Sequence, residues 1–120
     1  MAVDKCTGRE VAIEVKDDSR IADTRNILCE DEVYYKSGCY SKRGNMHSNS
    51  DVYTIVSKAE QRIYVIDFKA LKANYKRGEF KVIYHAQQDT YCYLLPLATL
   101  KRAGGLIAIV DYGTNDITLY

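Results

Sequence analysis

Nothing in this chain is apolar for long enough to cross a membrane. The longest such stretches, of which Leu106 to Val110 is one, fall far short of the ~20 residues a spanning helix needs. No charged start followed by an apolar segment marks a signal peptide, so the expected location is inside a cell. Cysteine is sparse and scattered. Cys6, Cys29, Cys39 and Cys92 form no C-x-x-C pair, which favours reduced thiols. The spacing of Cys29 and Cys39 with His47 and His85 fits no familiar zinc pattern. Pro96 is the one proline, and no Pro-rich or Ser-rich linker interrupts the chain; residues 1–120 read as a single domain. Neither sign of charge prevails, and a net charge of +1 lacks the strongly basic footprint of a non-specific nucleic-acid binder.

What is present is an ordinary globular composition. The 120 residues are 47% apolar and 28% charged, enough to bury roughly two-thirds of the unfolded surface without staples. Charge is nonetheless uneven. Asp17, Asp18, Asp23, Glu30, Asp31 and Glu32 make the first third acidic, and Lys69, Lys72, Lys76, Arg77 and Lys81 make a later stretch basic. An acidic metal site beside a basic strand-binding surface gives that split, and so do two solvated faces.

Val11 to Lys16 alternates with period two, with Val11, Ile13 and Val15 on one face and Ala12, Glu14 and Lys16 on the other, the pattern of a half-buried strand. Asn26 to Tyr35 reads as a second strand region, and Lys36 to Ser50 as a long polar loop, a length often tied to function. Val52 to Val56 and Arg62 to Ile66 suggest a hairpin around Lys58-Ala59-Glu60. Phe68 to Arg77 carries Phe68, Leu71 and Tyr75 at helical spacing and stops at Gly78. Tyr91 to Leu95 suits a strand or the approach to a helix. Pro96 then suits a first helical position, Leu97 to Ala103 a helix ended by Gly104-Gly105, and Leu106 to Asp111 a last strand. The natural architecture is α/β or α+β, a mixed central sheet with short flanking helices. Tyr53 and Tyr64 are expected to face the core.

Glu14 and Lys16, two apart on one strand, project from the same face roughly 7 Å apart. A hard cation prefers carboxylate oxygens and can make a bound water more acidic, while a lysine beside it orients or deprotonates that water. Asp4 joins them if Val3 to Lys16 is a hairpin closing over Gly8-Arg9-Glu10, since that register opposes Asp4 to Glu14 about 5 Å apart. A different turn spoils the arrangement. The second hairpin offers a rival, because a loop at Lys58-Ala59-Glu60 opposes Asp51 to Asp67, with Lys69 two residues on. Asp67 also has a structural reading, as the N-cap of the helix that begins at Phe68.

Asp4, nine intervening residues, then Glu14-Val15-Lys16 resembles the signature of the PD-(D/E)XK nuclease superfamily. The continuation through Asp18, Thr24, Asn26 and Glu30 looks like the E-V-K-x-D, T-G-N, then E run of small phage and bacterial nucleases, with Arg25 where such proteins usually carry glycine. Ser37-Gly38, Ser50 to Tyr53, and Tyr93 to Leu97 resemble their later segments in the same order. The resemblance implies a restriction-endonuclease-like fold and a Mg²⁺- or Mn²⁺-dependent deoxyribonuclease, an endonuclease rather than an exonuclease, within a cell or encoded by a phage in a bacterial host. It implies Asp4, Glu14 and Lys16 as catalytic positions, Asp4, Glu14 and Val15 as metal-holding positions, and Asp18, Asn26 and Glu30 as supporting ones.

DNA contact is expected from Lys36, Lys42 and Arg43 in the long loop, near Tyr34, Tyr35 and Tyr40, and from Lys69, Lys72, Lys76, Arg77 and Lys81. Members of that superfamily usually begin with a helix ahead of the Asp strand, and here only Met1 to Val3 precede Asp4, so a homo-oligomer covering the first hairpin is expected. The alternative from another class is a non-catalytic nucleic-acid or protein binding module on a nuclease-like fold. His47 and His85 have no nucleophile partner at a meaningful spacing.

Overall fold

The computed structural model describes residues 2–3, 7–29, 32–34, 40–43, 48–85 and 90–120. Its framework is a mixed five-stranded sheet, built from β3 (Ile13–Asp17), β7 (Val52–Ser57), β8 (Arg62–Asp67), β11 (Leu106–Asp111) and β12 (Asp116–Leu119) in the order β12-β11-β8-β7-β3. Every neighbouring pair is antiparallel except β3 and β7, which run parallel with Glu14 beside Tyr53 and Lys16 beside Ile55. A second sheet, β4 (Asn26–Cys29), β10 (Thr90–Pro96) and β9 (Lys81–His85), is antiparallel throughout. Two short ladders complete the set: β1 (Ala2–Val3) with β2 (Glu10–Val11), and β5 (Glu32–Tyr34) with β6 (Tyr40–Arg43). The class is α+β with a mixed central sheet and three short helices among the described residues.

The core lies on one face of the five-stranded sheet. Tyr53, Ile55, Tyr64 and Ile66 alternate inward along β7 and β8 and meet Phe68 and Leu71 of α2 (Phe68–Lys76), Leu100 of α3 (Leu97–Arg102) and Leu95 of β10. Tyr53 and Tyr64 are both 1% exposed, as expected for the two core-facing tyrosines. Helix α2 starts where its cap demands: Asp67 Oδ1 accepts from Lys69 N at 3.0 Å and Ala70 N at 3.4 Å, which satisfies two otherwise unpaired first-turn donors. It ends at Gly78, whose φ of +78° is the left-handed stop a glycine adopts without strain. Pro96 closes β10 and caps α3 from outside, with φ −63° and ψ 133°, so the first helical position belongs to Leu97.

Three local expectations are corrected. The β7–β8 turn holds four residues, with Ser57 opposite Arg62 and Val52 opposite Asp67, one residue out from the expected register. The β1–β2 ladder sets Ala2 opposite Val11 and Val3 opposite Glu10, whereas the expected hairpin opposed Val3 to Val15. Finally, the long polar segment contains β6, which pairs back onto β5.

The other face of the five-stranded sheet is open. Val15 is 65%, Ile117 65% and Leu119 77% exposed. Strand β3 is half-buried in the reverse sense to its alternation: Ile13, Val15 and Asp17 lie on the exposed side, and Glu14 and Lys16 share the inner face with Tyr53 and Ile55. Among the described residues no helix is long and apolar enough to cross a membrane.

Candidate functional site

Strand β3 places the central pair of the expected site. Its ladder with β7 keeps Glu14 and Lys16 on one face, each half-buried. Thr54 Oγ1 donates to the Glu14 carbonyl at 3.1 Å and fixes the strand beneath the side chain. Neither the Glu14 carboxylate nor the Lys16 ammonium takes a hydrogen bond or ion pair among the described residues. Their neighbours are committed: Asp17 pairs with Lys58 at 2.9 Å, and Asp18 accepts from Arg20 N at 3.0 Å. The pair is therefore left by the fold with both charges open to a further group.

Asp18 continues the alternation beyond Lys16. Its N–H donates to Val56 O at 3.0 Å, so its side chain follows Glu14 and Lys16 along the same line. It opens onto a small cleft lined by Asp18, Arg20, Thr24, Asn26, Leu28, Ile83 and Leu94. The expected supporting residues Asp18 and Asn26 thus share one cleft, with an apolar floor from the outer side of the β4-β10-β9 sheet. Glu14 and Lys16 are not part of its lining.

The segment between Asp18 and Asn26 is shaped by α1 (Ile21–Thr24), which buries Ile21. Arg25 follows it at φ 54°, ψ 31°, the left-handed conformation that glycine adopts most easily. Its guanidinium offsets the strain: Nη1 donates to Glu60 Oε2 and to Tyr64 Oη, both at 2.9 Å. Tyr64 Oη donates to Glu60 Oε1 at 2.8 Å, and Arg62 joins Glu60 to Asp111 at 3.2 and 3.3 Å. Burial alone pushes the Glu60 carboxyl up, but the bonds from Tyr64 and Arg25 outweigh it and hold it below the ordinary glutamate value. Asp111 is held low by the Thr114 N–H, with Arg62 adding to the effect. Sequence reasoning missed this network; the polar Lys58 to Arg62 turn was its only local trace.

In the rival hairpin Asp51 stays close to Asp67, its carbonyl accepting from Phe68 N at 3.1 Å. With Val52 opposite Asp67, Asp51 and Asp67 fall out of register, and each carboxylate has structural work. Asp67 caps α2. Asp51 accepts from Ala12 N at 3.0 Å and from Arg9 Nη2 at 3.1 Å.

Asp4, Glu30 and Lys36 lie outside the described residues, as do Cys6, Cys39 and His47. Lys42 and Arg43 stand on β6. On α2, Lys69 and Lys76 are exposed, whereas Lys72 Nζ donates to Ser48 O and lies 4.7 Å from the centre of the Phe68 ring. Arg77 is bound to Glu79 at 2.6 Å, and Lys81 is exposed at the start of β9. Helix α2 packs on the face from which Glu14 projects: Glu14 lies beside Tyr53, whose ring sits 5.1 Å from that of Phe68.

A hard divalent cation asks for several oxygen ligands. The Glu14 carboxylate and the Val15 carbonyl are oxygen donors of the right kind, but they are two. Among the described residues no three of His, Cys, Asp and Glu converge on one point, so a full set requires a further donor. No protein-family model, no curated protein and no solved structure matches this chain.

Proposed function

We propose that the protein is a Mg²⁺- or Mn²⁺-dependent deoxyribonuclease of PD-(D/E)XK type, an endonuclease acting inside a cell on a restriction-endonuclease-like fold. The observation that carries this reading is the pair Glu14 and Lys16, half-buried on the inner face of β3 with no partner among the described residues. Ionisable side chains that the fold itself leaves without a partner are open to a ligand. In this reading Glu14 and the Val15 carbonyl hold the cation together with a further oxygen donor; Asp4 is the candidate for it from the sequence, although the β1–β2 register does not oppose it to Glu14. When bound, the cation neutralises phosphate charge and makes water a better nucleophile. Lys16 orients that water through its ammonium, and Asp18 and Asn26 line the adjoining cleft. Lys69, Lys76 and Lys81, exposed and without ion-pair partners among the described residues, are the main candidates of the basic segment for the DNA backbone; Lys72 and Arg77 are already engaged.

Nicking of supercoiled plasmid with Mg²⁺ tests the reading. Asp4→Ala, Glu14→Ala and Lys16→Ala should each nearly abolish cutting in folded protein. Lys16→Ala should leave metal binding intact, whereas the two acid variants weaken it. Asp67→Asn and Lys69→Ala should retain substantial cutting. Wild-type rates from folded Glu14→Ala would overturn the assignment. The second reading, a binding module that does not cut, is favoured by the incomplete donor set among the described residues. It is chosen if plasmid is bound with a salt-dependent affinity and stays intact.

A further inference from the structure

Strand β3 closes one side of the five-stranded sheet, and among the described residues no strand pairs with its outer edge. The ladder fixes which main-chain groups face outward. Ala12 O accepts from Asp51 N and Val52 N, and Asp18 N donates to Val56 O, so the even-numbered residues turn their N–H and C=O groups toward β7. Alternation leaves those of Ile13, Val15 and Asp17 directed at the open edge. Among the described residues β1 pairs with Glu10 and Val11. Ile13 is 42% and Val15 65% exposed, and neither a proline nor a bulge blunts the strand. An edge of this kind is a template for another strand.

We propose that the strand it takes is β3 of a second copy, paired antiparallel about a two-fold axis at Val15. The charges of Ile13-Glu14-Val15-Lys16-Asp17 select this occupant and its register. Only outward-facing residues can exchange main-chain bonds, so the odd-numbered residues must oppose one another. One such register sets Glu14 against itself, and another sets Lys16 against itself. The register between them places Glu14 opposite Lys16 of the second copy and Lys16 opposite its Glu14, which gives each unpaired charge a cross-strand partner about 5 Å away. Val15 then meets its own counterpart and Ile13 meets Asp17, with about six inter-strand main-chain bonds in all. Such a seam is smaller than the roughly 1,200 Å² of a standard interface, so the dimer is reversible. The dimer engages the same Glu14 and Lys16 charges and the same Val15 carbonyl that the nuclease reading gives to metal and water, so it is a state in which that site is covered; it is tested without DNA or metal, and its failure leaves the nuclease reading standing.

Sedimentation velocity on the full chain should show a dimer at ~100 µM that dissociates on dilution. Glu14→Lys and Lys16→Glu should each weaken it at least about tenfold, since two symmetry-related attractions become repulsions. The double variant Glu14→Lys/Lys16→Glu should recover most of the loss. Val15→Cys should cross-link to a covalent dimer under mild oxidation beyond the wild-type background, because hydrogen-bonded strand pairs hold their Cα atoms within disulfide reach; this readout serves if a charge variant fails to fold. A wild-type monomer at ~500 µM, a double variant no better than the singles, or no Val15→Cys cross-link overturns the proposal. So does a dimer lost with Ile117→Lys but indifferent to Glu14→Lys, which would mean that the open sheet faces stack instead.

Discussion

At the turn between β7 and β8, Glu60 meets Arg25, Arg62 and Tyr64 at 2.9, 3.2 and 2.8 Å. On the adjacent strand β3, the Glu14 carboxylate is also half-buried and takes no hydrogen bond or ion pair among the described residues. The two carboxylates differ in their partners. Glu60 is neutralised within the fold, so its charge is part of what holds α1 against the β7–β8 hairpin. Glu14 is held by its backbone alone, and its charge remains available to a cation, a substrate or a second copy.

This contrast can be broken at several strengths. Glu60→Ala should have the largest effect on the fold, a loss of about 2 kcal/mol in chemical denaturation. Charge-assisted hydrogen bonds are lost from three donors, tempered because Arg25 and Arg62 are open to solvent. Tyr64→Phe should lose about 1 kcal/mol.

The acid limb of stability should follow. Glu60 and Asp111 both titrate below their ordinary values in the folded protein, so their contribution is present above the unfolded carboxylate range. It disappears as pH falls through their lowered folded values. A pH series of melting temperatures should fall there for the wild type and fall less for Glu60→Ala. An unchanged acid limb in the variant would remove Glu60 from the account.

Arg25 sharpens the comparison further. Arg25→Ala keeps the left-handed backbone and loses the guanidinium, whereas Arg25→Gly loses the same bonds but relieves roughly 1 kcal/mol of strain. Thermal melts should rank the glycine variant above the alanine variant. Smallest of all, Glu14→Ala and Lys16→Ala should change stability by less than about 0.5 kcal/mol, and removing an unpaired charge can even stabilise. If Glu14→Ala destabilises as much as Glu60→Ala, the distinction between the two carboxylates collapses.

The parts of the fold legible in the sequence are those encoded locally. Helix α2 announced itself by Phe68 and Leu71 at helical spacing, the Asp67 cap and the Gly78 stop, and β11 by its bounded apolar run. Strand β12 was missed although Asp116-Ile117-Thr118-Leu119 alternates after a turn containing Gly113 and the left-handed Asn115. What failed was pairing at a distance. The parallel β3–β7 ladder joins segments separated by some forty residues, and no turn between them records its register. The same ambiguity hid which face of β3 is inner: Ile13 and Val15 promised a buried stripe, but the core formed on the side of Tyr53 and Ile55. Of the candidate site, Glu14 and Lys16 share a face because a strand's period of two is local. The opposition of Asp4 to Glu14 depended on a turn register that the β1–β2 ladder does not adopt.

Arg25 has a consequence for how the molecule opens. Its carbonyl accepts from Leu97 N at 2.9 Å, at the first residue of α3, while its side chain grips the β7–β8 turn. One residue thus fastens three segments distant in sequence. This clasp adds to the shared core of Ile27, Cys29 and Leu95 in holding the β4-β10-β9 sheet to the five-stranded sheet. Amide protons of β4 and β8 should therefore exchange with solvent at a common rate in the wild type, as one cooperative unit. In Arg25→Ala the two rates should separate, with β4 becoming the faster.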